Sequence, residues 1–183
     1  NFFIKKSTMK NLYLLVIILT ILSLNSCSNR GLPIISRSSP EEKIVSQLKE
    51  TKKCIKCNLE NSNLNYIKLK NSDISESTFV GSSMNGVDLE NSKVSEVNFE
   101  NVDFSNAKLN KISGVNVSFE DSLMTRMNMM EAKLLSSNFS GADISQSKLN
   151  ASKLSDSEFL NVVMVGSDLT GVDLSDSDLS KSK

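Results

Sequence analysis

From Cys57 to Lys181 the chain reads as 25 consecutive pentapeptides with no insertion or deletion. The third position is apolar in 24 of the 25, from Leu59 and Leu64 to Leu174 and Leu179; Gly114 is the exception. The first position is always Ser, Val, Ala, Ile, Met or Cys, and it is Ser twelve times. The second position is polar except at Leu123 and Val163. A period of five matches neither a helix at 3.6 nor an uninterrupted strand at 2.0. Positions one and three point the same way across an extended step, and positions four and five must then turn the chain. Asn, Gly, Asp and Ser recur there, as backbone with positive φ demands. The pattern predicts short strands joined by repeated turns, stacked as a solenoid because no strand can bury its face alone.

The aromatic residues set the number of sides. Phe79, Phe99, Phe119, Phe139 and Phe159 recur every twenty residues, which is four pentads, so residues i and i+20 are expected to stack in successive coils. A Leu column (Leu69, Leu89, Leu109, Met129, Leu149, Leu169) and a mixed column (Leu64, Met84, Phe104, Met124, Ile144, Met164) share that spacing. The fourth column runs Ile74, Val94, Gly114, Leu134, Leu154, Leu174. Gly114 leaves a hole in it that Ile112 is expected to fill.

Units such as Val87-Asp88-Leu89, Ala142-Asp143-Ile144 and Val172-Asp173-Leu174 follow the pattern A/S/V-(D/N/K)-(L/F)-x-x. On these residues the chain resembles the pentapeptide-repeat family. The resemblance implies an all-β fold, a right-handed quadrilateral β-helix of about six coils over residues 57–181. The tract Lys53-Cys54-Ile55-Lys56-Cys57-Asn58-Leu59 is also similar to the opening of many bacterial members. Members that dimerise do so through the C-terminal end, which implies a homodimer through that end of the β-helix.

Upstream, Ser39 stands where an N-cap belongs, Pro40 at the first helical position, and Glu42 completes a capping box. Ile44, Val45 and Leu48 make a narrow apolar stripe. Residues 39–56 are therefore expected to form a short capping helix and lead-in, covering the sheet edge that a solenoid exposes at its first coil.

Residues 1–8 contain no Met, and translation is expected to start at Met9. The apolar run Leu12–Leu24 is too short for a bilayer span, which needs roughly twenty residues, and suits the h-region of a signal peptide over residues 1–26. Leu24-Asn25-Ser26-Cys27 resembles a bacterial lipobox, with Asn25 departing from the usual small or apolar residue. Acylation of Cys27 would tether the chain to a membrane through a linker spanning residues 27–38 and place it at the cell envelope, facing the periplasm.

Composition then narrows the chemistry. The chain has no His, which removes the usual general base, the commonest metal ligand and His-dependent nucleophilic catalysis. The net charge is zero, without the basic excess of a nucleic-acid binder. Cys54 and Cys57 admit a structural cap with or without a disulfide, a redox pair or part of a metal site. The redox reading lacks a βαβ context and the metal reading lacks further ligands. Met124, Met127 and Met129 are inward by register, with Met130 outward. Leu160, Val163 and Val165 cluster outward in the sixth coil and form a candidate docking patch.

Residues 57–181 hold 18 acidic and 10 basic side chains. The family resemblance implies, as one alternative, a DNA mimic that binds a type II topoisomerase. Lys68, Lys108 and Lys148 on one face, and Lys93, Lys133 and Lys153 on the next, interrupt the negative stripe such a mimic would use. The expectation is a non-enzymatic lipoprotein without cofactor or metal, a structural or protein-binding scaffold whose protein partner is unknown.

Overall fold

The computed structural model describes residues 39–183, which lie within one compact unit, Ser38–Lys183. The expected signal peptide, Cys27 and the tether fall outside the described residues. The first element is helix α1, Pro40–Thr51. Its capping box is closed in both directions: the Glu42 backbone N–H donates to Ser39 Oγ at 3.1 Å, and the Ser39 N–H donates to Glu42 Oε2 at 2.8 Å. Lys52, in the left-handed region at φ 58°, ends the helix by donating its N–H to the Leu48 carbonyl. Leu48 is fully buried, and Ile44 and Val45 pack half-buried against the same core.

After α1 the chain is a ladder of parallel bridges joining second-position residues twenty apart, from Lys53↔Asp73 to Glu158↔Asp178. Only β1 (Ser113–Val115) and β2 (Lys133–Leu135) are continuous strands, paired in parallel with Gly114 opposite Leu134. Elsewhere a corner every five residues cuts each strand to a single bridge. The architecture is an all-β solenoid with four walls, named here by their inward columns: the Phe wall, the mixed wall, the Leu wall and the Gly114 wall.

Each pentad's backbone N–H groups can be followed to their acceptors, and the sequence pattern follows from where they go. The third-position N–H donates to the next coil (Leu64 to Ser83 O, 2.7 Å), as does the fifth (Asn61 to Val80 O, 2.9 Å). The second-position N–H donates to the previous coil (Ser83 to Ser62 O, 3.0 Å). The fourth-position N–H turns back to the second side chain. All twelve Asn and Asp residues at second positions accept it, for example Asp103 from Ser105 at 2.9 Å.

The first-position N–H has two routes. Where the residue twenty ahead is apolar, it usually closes the corner on the carbonyl three residues back, as Ala142 does on Phe139 at 3.0 Å. Where that residue is Ser, its hydroxyl commonly accepts the N–H; nine such bonds run from Cys57–Ser77 to Val162–Ser182, seven in place of the corner bond and two, at Ser62 and Ser72, alongside it. Several of these hydroxyls then donate to the corner carbonyl of the coil below, as Ser147 does to Met124 at 2.8 Å. In seven of the nine cases a Ser thus bridges a corner that does not close on itself.

Positive φ falls on the fifth position alone, in all 25 pentads, and twenty of those residues are not Gly. Even Glu96, Arg126 and Ala151 adopt it, although a left-handed conformation costs an L-residue about 1–2 kcal/mol. The fourth position, also expected to need it, does not.

The core is filled by third-position side chains. Consecutive Phe rings stack from Phe79 to Phe159, with centroids 5.2, 5.3, 4.9 and 4.7 Å apart. Phe104, from the mixed wall, meets Phe99 edge-on at 5.0 Å. The expected hole at Gly114 is not there. A Cβ on Gly114 would lie 2.9 Å from the Val94 carbonyl carbon and 3.0 Å from Ser95 N, so here the backbone of one coil approaches the next too closely for a side chain. Ile112 is buried in its regular register beside it.

Candidate functional site

With the interior filled by its own side chains, the chemistry available to a partner lies on the walls. Ladder pairing places Lys68, Asp88, Lys108, Asn128, Lys148 and Asp168 in one column of the Leu wall. On the Gly114 wall the column is Lys53, Asp73, Lys93, Ser113, Lys133, Lys153 and Asp173. On the Leu wall the lysines singled out from the sequence therefore alternate with Asp or Asn; on the Gly114 wall Asp73 and Ser113 separate Lys53, Lys93 and Lys133, but Lys133 and Lys153 are direct ladder neighbours. The Phe wall differs: its outward positions carry Glu60, Glu100, Glu120, Asp121, Glu158 and Asp178, with no basic residue before Lys181.

Three ion pairs join fourth- or fifth-position side chains of successive coils among the described residues: Lys56–Glu76 at 3.1 Å, Lys70–Glu90 at 2.8 Å and Lys111–Glu131 at 3.8 Å. The hydrogen bond from Lys70 holds the Glu90 carboxyl below the usual carboxylate range and raises the Lys70 ammonium above its own. The Asp173 and Asp178 carboxyls are likewise lowered, first by the hydroxyls of Ser175 (2.8 Å) and Ser180 (2.5 Å) and then by the N–H of the same residues. Lys70, Asp173 and Asp178 are exposed and Glu90 is half-buried, so these are surface pairings that order side chains and contribute little to stability.

Cys54 and Cys57 are joined in a disulfide, with Cα atoms 5.6 Å apart. Cys54 is buried against the first coil and Cys57 half-buried. The pair therefore tethers the lead-in from α1 to the base of the ladder, an arrangement invisible in the spacing alone. No group of three or more His, Cys, Asp or Glu residues that could hold a metal ion occurs among the described residues. Met124, Met127 and Met129 are buried core residues, and Met130 is half-buried.

The three residues of the candidate docking patch are only loosely grouped. Val165 is 62% exposed, whereas Leu160 and Val163 are half-buried. Leu160 belongs to the Phe wall and the two valines to the mixed wall. Leu123 joins their column two coils back, but Asp143 stands between it and Val163 in the ladder. The register missed a second exposed apolar pair, Val115 and Leu135, opposite each other in β1 and β2. The Gly114 exception in the sequence was its signal. No helix among the described residues is long and apolar enough to cross a membrane.

Comparison with known proteins agrees with this architecture. The family model described as "Pentapeptide repeat region" matches residues 52–123 and 92–162, and that described as "Pentapeptide repeats (8 copies)" matches 145–180. No curated protein matches the chain. Among solved structures it is similar to trypsin-treated QnrB1, a plasmid-mediated fluoroquinolone resistance protein, with 16% identity over 70% of this chain and 73% of that one, at a TM-score of 0.50. It is also similar to Rfr23, a pentapeptide repeat protein from the cyanobacterium Cyanothece 51142. There the identity is 15% over 76% of this chain and 96% of that one, at a TM-score of 0.31. At 16% identity the likeness to QnrB1 concerns the fold alone.

Proposed function

The chain belongs to the pentapeptide repeat family, and from that premise we propose that it is a non-enzymatic binding scaffold, lipid-anchored through Cys27 at the bacterial cell envelope and facing the periplasm. In this reading it is a right-handed quadrilateral β-helix of about six coils, closed at its first coil by α1 and by the Cys54–Cys57 disulfide. The observation that carries the scaffold reading is the unbroken bridge ladder around a filled core. It leaves flat outer walls as the working surface, with the Leu160, Val163 and Val165 region as one contact for a protein partner. The envelope address rests on the apolar run, the lipobox-like tetrapeptide and Cys27.

Radiolabelled palmitate incorporation, with wild type compared to Cys27→Ala, tests the anchor. Label that depends on Cys27, in a protein recovered with membranes, is the expected result. An unlabelled, soluble wild type overturns the reading.

One observation favours a second reading, a DNA mimic that binds a type II topoisomerase. The lysines interrupt only the Leu and Gly114 walls, and the Phe wall stays acidic through residue 180. Binding of the purified unit to gyrase, abolished by Glu100→Lys/Glu120→Lys, would establish it; no binding would eliminate it.

A further inference from the structure

We infer that the α1-bearing end of the solenoid is a docking surface for an anionic lipid bilayer. The net charge of zero conceals a segregation along the chain. Residues 27–71 carry nine basic and four acidic side chains, and residues 72–183 carry nine basic and 17 acidic. In the first coil, residues 52–71, the Leu and Gly114 walls adjoin and present Lys52, Lys53, Lys56, Lys68 and Lys70 with no carboxylate on either wall. Helix α1 adds Lys43 and Lys49. Lys52 Nζ donates to the Lys68 carbonyl oxygen at 2.7 Å, fastening the exit of α1 to the Leu wall so that the lysines of both walls form one surface. Lys56 and Lys70 reach up to Glu76 and Glu90 in the second coil, while Lys43, Lys49, Lys53 and Lys68 have no ion-pair partner among the described residues.

The acidic body does not cancel this surface when the solenoid stands on it. Coils rise about 4.8 Å each, and charges are screened beyond about 8–10 Å at physiological salt. Carboxylates from Glu96 onward lie two or more coils away. Of the four in the second coil, Glu76 and Glu90 are already paired. Of the three on α1, Glu42 is folded back onto Ser39. A group of four to eight lysines next to a bilayer is what an anionic leaflet attracts. A duplex is the poorer fit, because a run of phosphates long enough to use these lysines would continue past Glu60 and the second-coil carboxylates. Continuity also favours a bilayer: the tether leading into this end, residues 27–38, carries Arg30 and Arg37 and no acidic residue, and in the envelope reading it starts at the membrane. The inference deepens the envelope reading and shares its premise of an adjacent bilayer, but it does not depend on acylation.

The test uses the Ser38–Lys183 unit, which carries its own core and lacks both Cys27 and the apolar run. It is sedimented with vesicles of phosphatidylcholine, with or without added phosphatidylglycerol, at low and high salt. Binding to the anionic vesicles alone, abolished by high salt, is expected. Replacing Lys49, Lys53 and Lys68 together by Gln should lower the partition coefficient on the order of 100-fold, at about fivefold per lysine. The matched change at Lys133, Lys148 and Lys153, equally exposed and further along the solenoid, should leave it within about twofold. Equal losses in the two variants, equal binding to neutral vesicles, no binding at all, or binding to duplex DNA in place of vesicles would each overturn the inference. Since the unit lacks Cys27, its failure leaves the palmitate result untouched, and the reverse also holds.

Discussion

Ser147 and Ser152 occupy the same register five residues apart, both are buried, and replacing each by Ala should shift stability in opposite directions. Ser147 Oγ accepts the Met127 N–H at 3.1 Å and donates to the Met124 carbonyl at 2.8 Å, and that corner has no internal N–H to carbonyl bond. Ser147→Ala strips partners from two buried backbone groups, at about 1–3 kcal/mol each. Part returns if the corner closes on itself, as the Phe139–Ala142 corner does, which leaves a net loss of about 2 kcal/mol. Ser152 presents the converse. Its hydroxyl is buried without a hydrogen-bond partner, and the corner below it is already closed by the Ala132 N–H on Met129 O. Ser152→Ala removes a desolvated hydroxyl that gives nothing back and should stabilise by about 0.5–1 kcal/mol. The variants should differ by about 3 kcal/mol, which for a domain of this size is roughly 6–12 °C in Tm. Urea midpoints and thermal scans of the Ser38–Lys183 unit measure the difference. Equal shifts, or a Ser152→Ala loss matching that of Ser147→Ala, would refute the claim that first-position hydroxyls act by bridging open corners.

Phe119 stacks on Phe99 and Phe139 and meets Phe104, so Phe119→Ala should cost about 3–5 kcal/mol by urea denaturation; a loss below that of a surface Ser→Ala would contradict a continuous aromatic core. Gly114→Ala should cost about 1–3 kcal/mol, because its Cβ meets backbone that cannot swing away; stabilisation would restore the idea of a hole at that level. On acidification, the lowered carboxyls of Asp173 and Asp178 imply stabilisation that is complete above about pH 4 and lost as pH falls through their folded values. Amides held by the last coil, Asp156 to Ser175 O and Asn161 to Ser180 O, should therefore lose hydrogen-exchange protection below that pH before Asn101, which bonds to Glu120 O. Uniform loss along the ladder would contradict the sign.

The fold was legible because period and register are over-determined: each third position repeats the same instruction, and the Phe spacing fixes four pentads to a coil. What stayed hidden was hydrogen-bond routing. A Ser in an inward register reads from sequence as a small filler, yet the Cys57–Ser77 and Val162–Ser182 bonds make it part of the backbone network. Gly114 reads as a missing side chain because sequence reports what is absent from a position and not how closely another coil passes. The Cys54–Cys57 pairing was one of several open readings, since spacing says nothing about how the lead-in brings the two together.

The same routing separates surface positions that folding explains from those it does not. A second-position Asn or Asp is accounted for by the fourth-position N–H it accepts, a bond worth about 1 kcal/mol. Lys53, Lys68, Lys93, Lys108, Lys133, Lys148 and Lys153 stand at second positions and forgo that bond, as do Leu123 and Val163. The forgone stabilisation over seven lysines is several kcal/mol, comparable to the net stability of a typical domain. All seven lie on the Leu and Gly114 walls, and none on the Phe wall, where Asn58, Asn98 and Asn138 keep the bond. The fourth-position N–H does not account for these lysines: most of them have an Asp as a ladder neighbour, and the two in the first coil, Lys53 and Lys68, are the ones that the bilayer contact uses.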